Sequence, residues 1–296
     1  CRQRKAEETT GATRTADPMI PFPILKCLVN RVCLLLVGLS LSSVWCKAQC
    51  PVENHAVAPG EDLVYDLYFN WKFIWVKFGT SYRKTTASFY EGQPALCTHL
   101  QTKGSKQADR FFMMRDTLIS YMTPQLVPLY YRKGAFEGKR YNVDEVFFKY
   151  EKGKVNIDHN YKYKDGVWEL HNASLTECAF DMITQLNRAR SLDAADLTPG
   201  QRITFLMAEG KRVKPQTLIF RKRDTFKAND GTKYKCLILS FVEYEKGKEK
   251  EIITFYVTDD DNHLPVRLDL NLKFGSAKAF LKTSQGVKYP ITAIVQ

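Results

Sequence analysis

Residues 63–79 read LVYDLYFNWKFIWVKFG. In this run Leu63, Tyr65, Leu67, Phe69, Trp71, Phe73 and Trp75 alternate with Val64, Asp66, Tyr68, Asn70, Lys72, Ile74 and Val76. A period of two sends the first set to one face of an extended strand and the second set to the other, which a helix cannot do. At about 3.3 Å per residue the run is too long for a typical single strand, so a bend or bulge is expected near Asn70 or Lys72.

The same period recurs on both sides of the run. TSYRKTTASFY, ALCTHLQTK and DTLISYM carry Thr, Tyr and Phe at strand density, and LVPLYYRKG carries Pro128, which belongs at an edge or bulge. RYNVDEVFFKYEKGKVNIDHNYKYKDGVWEL reads as a meander with turns at Gly153-Lys154 and Asp165-Gly166. Further strands follow from QRITFLMAEG to AKAFLK. Strands joined by such short turns run antiparallel.

One segment breaks the pattern. In SLTECAFDMITQLNRARSL, Leu175, Cys178, Ala179, Met182, Ile183, Leu186 and Ala189 recur at spacings of three and four. Ser174 and Glu177 have capping-box spacing, and Arg188 and Arg190 suit the negative end of a helix dipole. The expected fold is mainly β, with antiparallel, strongly curved or barrel-like sheets and one main α-helix at about 175–191. It forms one β-rich domain over 49–296, with room for two β halves (50–170 and 200–296) around the helix.

The amino-terminal part is of another kind. After Met19, the basic Lys26 and Arg31 precede the apolar VCLLLVGLSLSSVWC, and small residues at Cys46 and Ala48 suit cleavage. Residues 19–48 thus read as a secretory signal peptide, with an apolar core too short and serine-rich for a membrane span. Residues 1–18 are polar and read as a non-native upstream extension. The expected location is outside the cytoplasm, in the periplasm or associated with the outer envelope. The chain is basic, with a net charge of +12. In an exported protein that charge fits anionic lipid or polysaccharide, or solubility, and not nucleic acid.

The exported part keeps Cys50, Cys97, Cys178 and Cys236, and four cysteines allow three pairings. Export favours disulfides, and Cys178–Cys236 would pin the helix to a following strand. Cys50–Cys97 is the weaker alternative, because Cys50 lies at a terminus.

Enzyme signatures are missing. There is no nucleophile elbow, zinc-protease motif, phosphate loop or dinucleotide fingerprint, and the histidines His55, His99, His159, His171 and His263 never adopt metal-ligand spacing. Asp259, Asp260, Asp261 and Asn262 in VTDDDNHLPV offer oxygens that calcium prefers, but the central glycine and distal glutamate of a calcium loop are absent. Between strand-like flanks the run reads instead as a hairpin tip. The basic cluster RKRD (221–224) could hold an anion, or guard a strand edge. No catalytic residue, metal site or cofactor follows from these residues. The aromatic face supplies the candidate ligand-binding residues Tyr65, Phe69, Trp71, Phe73 and Trp75, as pocket wall or as sheet core. The expected function is a non-enzymatic envelope protein that binds a hydrophobic or anionic ligand, a lipid or a glycan. The alternatives are a structural or partner-binding protein with a filled core, or a hydrolase with an unrecognised site.

The stretches GEDLVYDLYFNWKFIWVKFGT, RDTLISYMTPQLVPLYYRKGAFEGKRYNVDE, CAFDMITQLNRAR and KEIITFYVTDDDNHLPVRLDLNLKFGSAKAFL resemble an exported bacterial family, domain of unknown function 3108, in its Bacteroides-type form. The resemblance implies a periplasmic or outer-envelope setting. It implies no reaction and brings no catalytic residues.

Overall fold

The computed structural model describes residues 49–71, 74–110, 113–138, 140–163, 165–272 and 275–295. The upstream extension and the export signal expected from the sequence lie outside the described residues.

The first half of the chain is a meander: β1 (Asp62–Trp71), β2 (Ile74–Tyr90), β3 (Gln93–Gly104), β4 (Met114–Met122), β5 (Pro128–Glu137), β6 (Arg140–Glu151), β7 (Lys154–Lys162) and β8 (Trp168–Leu175). A two-residue strand, β9 (Ala179–Phe180), leads into α1 (Met182–Arg190). The second half is β10 (Arg202–Glu209), β11 (Arg212–Lys227), β12 (Lys233–Glu245), β13 (Lys248–Thr258), β14 (Pro265–Leu272), β15 (Gly275–Gln285) and the short β16 (Ile294–Val295). All join one sheet in the order β8-β7-β6-β5-β4-β3-β2-β1-β15-β14-β13-β12-β11-β10-β9, with β16 beside β12. The sheet is mostly antiparallel, nearly closed and barrel-shaped. The two halves meet where β1 pairs with β15.

Turn chemistry drives the meander. Glu91-Gly92, Lys152-Gly153 and Lys246-Gly247 each place two successive residues at positive φ between paired strands. This is the two-residue turn whose twist matches antiparallel strands, and glycine takes its second position without steric cost. The acidic run VTDDDNHLPV likewise joins β13 to β14, and Pro265 opens β14, where a missing N–H costs least.

The helix departs from the expected one in two ways. It starts at Met182, because Leu175 still belongs to β8 and Ala179–Phe180 pair with β10. Its cap is therefore Asp181, whose Oδ1 accepts the N–H groups of Ile183 and Thr184, both at 2.9 Å, and not the Ser174–Glu177 pair. Its most buried face is also largely polar: Ile183 is accompanied by Thr184, Asn187 and Arg190. The helix packs on β4 and β10, with Ile183 and Ala179 joining Leu118, Met122, Tyr131, Val146 and Ile157 in the main apolar cluster.

The disulfide also differs from the expected one. Cys178 pairs with Cys50, their Cα atoms 6.0 Å apart, and Cys236 and Cys97 are free thiols. The segment after Cys50 is tied down, contrary to the assumption that made Cys50 a poor partner. Arg188 Nη1 donates to the Cys50 carbonyl at 2.7 Å, and Val52 N–H donates to Gln125 O at 3.0 Å. Cys236 is fully buried on β12, in an apolar cluster with Phe226, Ile238 and Val266.

Candidate functional site

The barrel interior behind β1 is filled by a charged network. Glu61 sits beside Arg83 and Arg190, and all three are buried. Arg190 donates to Glu61 through Nη1 (2.8 Å) and Nη2 (2.7 Å), and Arg83 donates to it through Nη1. Arg83 Nη2 continues to Asn187 Oδ1, and Asn187 Nδ2 donates to Thr98 Oγ1 at 3.4 Å. Burial pushes the Glu61 carboxyl up, but Arg83 and then Arg190 outweigh it and hold it below its ordinary value. A buried carboxylate so compensated is a structural brace. Nothing in this network presents a nucleophile with an oriented base.

The acidic turn serves the same interior. Asn262 O accepts from Arg190 Nε at 3.2 Å, and His263 Nδ1 lies 2.8 Å from Arg190 O. Asp260 Oδ2 accepts the N–H groups of Thr292 (3.1 Å) and Ala293 (3.2 Å), fastening the carboxy-terminal segment. Asp259 pairs with Arg223 of the basic cluster at 3.1 Å. Of the oxygens that suggested calcium, those of Asp260 and Asn262 are used as turn and tail acceptors and that of Asp259 by Arg223.

The candidate aromatic residues are distributed, not gathered. Tyr65 is buried among Leu63, Leu264 and Ala279, and its hydroxyl donates to Pro265 O at 3.0 Å. Burial raises its pKa well above the usual phenol value. Phe69 lies further along β1, partly buried, against Gly275, where a Cβ would stand 3.2 Å from its ring. Trp71 pairs in register with Ile74, and Phe73 lies outside the described residues. The chain therefore reverses between 71 and 74, in a hairpin where a bend was expected. Reversal changes the parity of the faces. Phe69 is opposite Val76, and Asn70 is opposite Trp75, so Trp75 falls on the face away from Phe69.

The face that holds Leu63, Tyr65 and Leu67 in the core thus continues outward along β1 and β2 as an unpacked shelf. Val76 is 51% exposed and Ile74 67%. The neighbouring hairpin extends it: Ala277 pairs with Phe69, Leu270 pairs with Ala277, and Leu272 is 48% exposed. On the opposite face Trp75 is 38% exposed with Lys278 Nζ 4.3 Å from its ring centroid, a cation–π contact. Lys77 bonds Asp66 at 2.7 Å, and that hydrogen bond raises the Lys77 pKa.

Ile74, Val76, Leu270 and Leu272 escaped sequence reasoning. Ile74 and Val76 stood at the supposedly outer parity, and no Gly, Pro, Asn or Asp at 72–73 marked the turn. What was visible is the run of large apolar residues on both sides of Lys72.

No helix among the described residues is long and apolar enough to cross a membrane. A family model described as a protein of unknown function, DUF3108, matches residues 64–282. No curated protein matches the chain. Among solved structures, a beta-barrel-like protein of the domain of unknown function DUF1849 from Brucella abortus is similar at a TM-score of 0.50 and 11% identity, covering 78% of this chain and 98% of that one. A protein with a YmcC-like fold from Bacteroides fragilis aligns at a TM-score of 0.34 and 10% identity over 80% of this chain and 100% of that one. The first of these likenesses is one of fold.

Proposed function

This chain belongs to the DUF3108 family of proteins of unknown function, and within that family we propose for it the role of an exported, non-catalytic protein that binds lipid of the cell envelope. The apolar shelf at the β1–β2 and β14–β15 hairpins carries the reading. Ile74 and Val76 on β2 and Leu272 on β14 are exposed on one face of the sheet, with β1 and β15 between them, where a water-bound surface would hold polar residues. The other face of the same hairpins carries Trp75 with Lys278 against its ring, and Lys77, an amphipathic ring and lysines as in a segment that meets a bilayer interface. A ligand deep in the barrel is disfavoured by the Glu61–Arg83–Arg190 network and by the packed surroundings of Tyr65. The signal-like segment at 19–48 and the Cys50–Cys178 disulfide support an oxidising location outside the cytoplasm.

Co-sedimentation of the purified protein with lipid vesicles tests this. Wild type pellets with vesicles, and an Ile74→Asn/Val76→Asn variant with unchanged stability stays in the supernatant. Equal pelleting of the two proteins, or no pelleting of either, would refute it.

A further inference from the structure

A second feature lies on the outer face of the same end of the barrel. Lys77, Gly79, Thr80, Tyr82, Lys103 and Gly104 line an open depression of about 280 Å³, joined by Ser105 and Gln107. Its floor is a cross-strand glycine pair, Gly79 opposite Gly104. Neither position tolerates a side chain: a Cβ on Gly79 would collide with the Lys103 carbonyl oxygen, and one on Gly104 would stand 2.8 Å from Asp109 Oδ1. Both glycines share the inward parity of Ser81 and Thr102, so what they offer the outer face is bare backbone, and β2 and β3 set a lysine on either side of it. Lys77 carries three donors and gives one to Asp66 Oδ2, leaving two. The Ser105 hydroxyl oxygen accepts from Ala108 N–H, so its own proton is free to donate. The acidic groups nearby are Asp66, paired with Lys77, and Asp109, paired with Arg115.

The geometry points to this depression as a site for the phosphate of a lipid headgroup. The inference rests on the lipid reading of the shelf and adds the class of lipid. Lys77 follows Ile74 by three residues, about 10 Å along an extended strand. Interfacial elements bury their apolar parts about 5–10 Å into the headgroup and acyl boundary. With Ile74 in the acyl region, Lys77 and the glycine floor lie at phosphate level, where two lysines meet anionic charge. Trp75 stands between, with the Lys278 ammonium against its ring, at the interface where amphipathic rings and lysine stems are stable. The partner is therefore a bilayer rich in anionic phospholipid.

The test uses phosphatidylcholine vesicles with and without a quarter phosphatidylglycerol. Wild type binds the mixed vesicles more tightly. Lys77→Gln/Lys103→Gln loses that gain, about tenfold or more at roughly one order of magnitude in affinity per pair of lysines, and loses much less on pure phosphatidylcholine, whose choline offsets the phosphate charge. Lys246→Gln/Lys248→Gln, an equal charge change on the β12–β13 hairpin, keeps the gain. An equal loss in both double variants, or none in the first, overturns the site. A nuclear magnetic resonance titration with water-soluble dihexanoyl phosphatidylglycerol separates this site from the shelf. Shifts of the Gly79 and Gly104 amides, weakened in Lys77→Gln/Lys103→Gln, support the pocket even if Ile74 and Val76 play no part. Shifts confined to residues elsewhere overturn it even if vesicles still bind.

Discussion

Glu61 and Arg190 face each other inside the barrel as a two-bonded ion pair, 2.7 and 2.8 Å between the nitrogen and oxygen atoms. Arg83 completes the group. Removing the carboxylate leaves two guanidiniums buried without a counter-charge. Glu61→Gln is therefore expected to cost about 3–5 kcal/mol, the usual penalty for breaking a buried pair from one side. Denaturant unfolding measures it, and a loss below about 1 kcal/mol would show that water or rearrangement already compensates the arginines.

Asp181 gives a pH signature. Burial lifts its carboxyl from 3.8 to about 6, in spite of hydrogen bonds from Thr184, Ser120 and Ile183. An acid with a raised folded pKa holds its proton more tightly in the native state than in the unfolded chain. Its stabilising contribution is thus full below about 3.8 and is lost as pH rises through about 6, at about 1.4 kcal/mol per unit crossed. Unfolding free energy of wild type minus that of Asp181→Asn should fall across that window. Parallel pH curves for the two proteins would contradict the shift.

The disulfide anchors the segment before β1 to the approach to the helix. Cys50 and Cys178 are 128 residues apart in sequence. Opening so long a loop by Cys178→Ser should cost about 2–5 kcal/mol. In the native protein the partly exposed Cys97 should react with a thiol reagent before the buried Cys236. Burial raises the pKa of both thiols, that of Cys236 to about 12. Rapid reaction of Cys236 would place it outside the core.

Asp260 is expected to act as a clasp. Its carboxylate receives Thr258 Oγ1 at 2.7 Å and Asn262 N–H at 3.1 Å, besides the Thr292 and Ala293 amides. Asp260→Ala should cost about 1–3 kcal/mol through the donors left unpaired, and should speed amide exchange at Thr292 and Ala293. Unchanged exchange there would mean that β16 holds the tail unaided.

The β architecture was legible because alternation over Leu63–Phe69, over Val266–Leu272 and in the meander is a direct image of the pleat. The hairpin at Asp259–Leu264 was legible too, from turn residues between strand-like flanks. The start of α1 was not. The stripe from Leu175 to Ala189 continued smoothly across β8, β9 and the helix, so periodicity alone could not see that Asp181 caps the chain where it enters the barrel. Nor could it foresee that Thr184, Asn187 and Arg190 turn inward, since their partners Ser120, Arg83 and Glu61 lie far off in sequence. The candidate site was half legible. The aromatic wealth of β1 was plain, but the pairing of Trp71 with Ile74 makes β1 and β2 a hairpin, which exchanged the faces and hid Ile74 and Val76 as outward residues.

That exchange of faces leads to the lipid-binding proposal. Exposed residues contribute little to stability, so Ile74→Asn/Val76→Asn should change the unfolding free energy by no more than about 0.5 kcal/mol per site. Its effect should appear on vesicles alone. Amide hydrogen exchange with and without anionic vesicles localises the contact most directly. The proposal predicts slowed exchange confined to the ends of two neighbouring hairpins, residues 69–77 and 268–278, in wild type and its absence in the double variant. Protection spread over the barrel, or centred on another face, would contradict it.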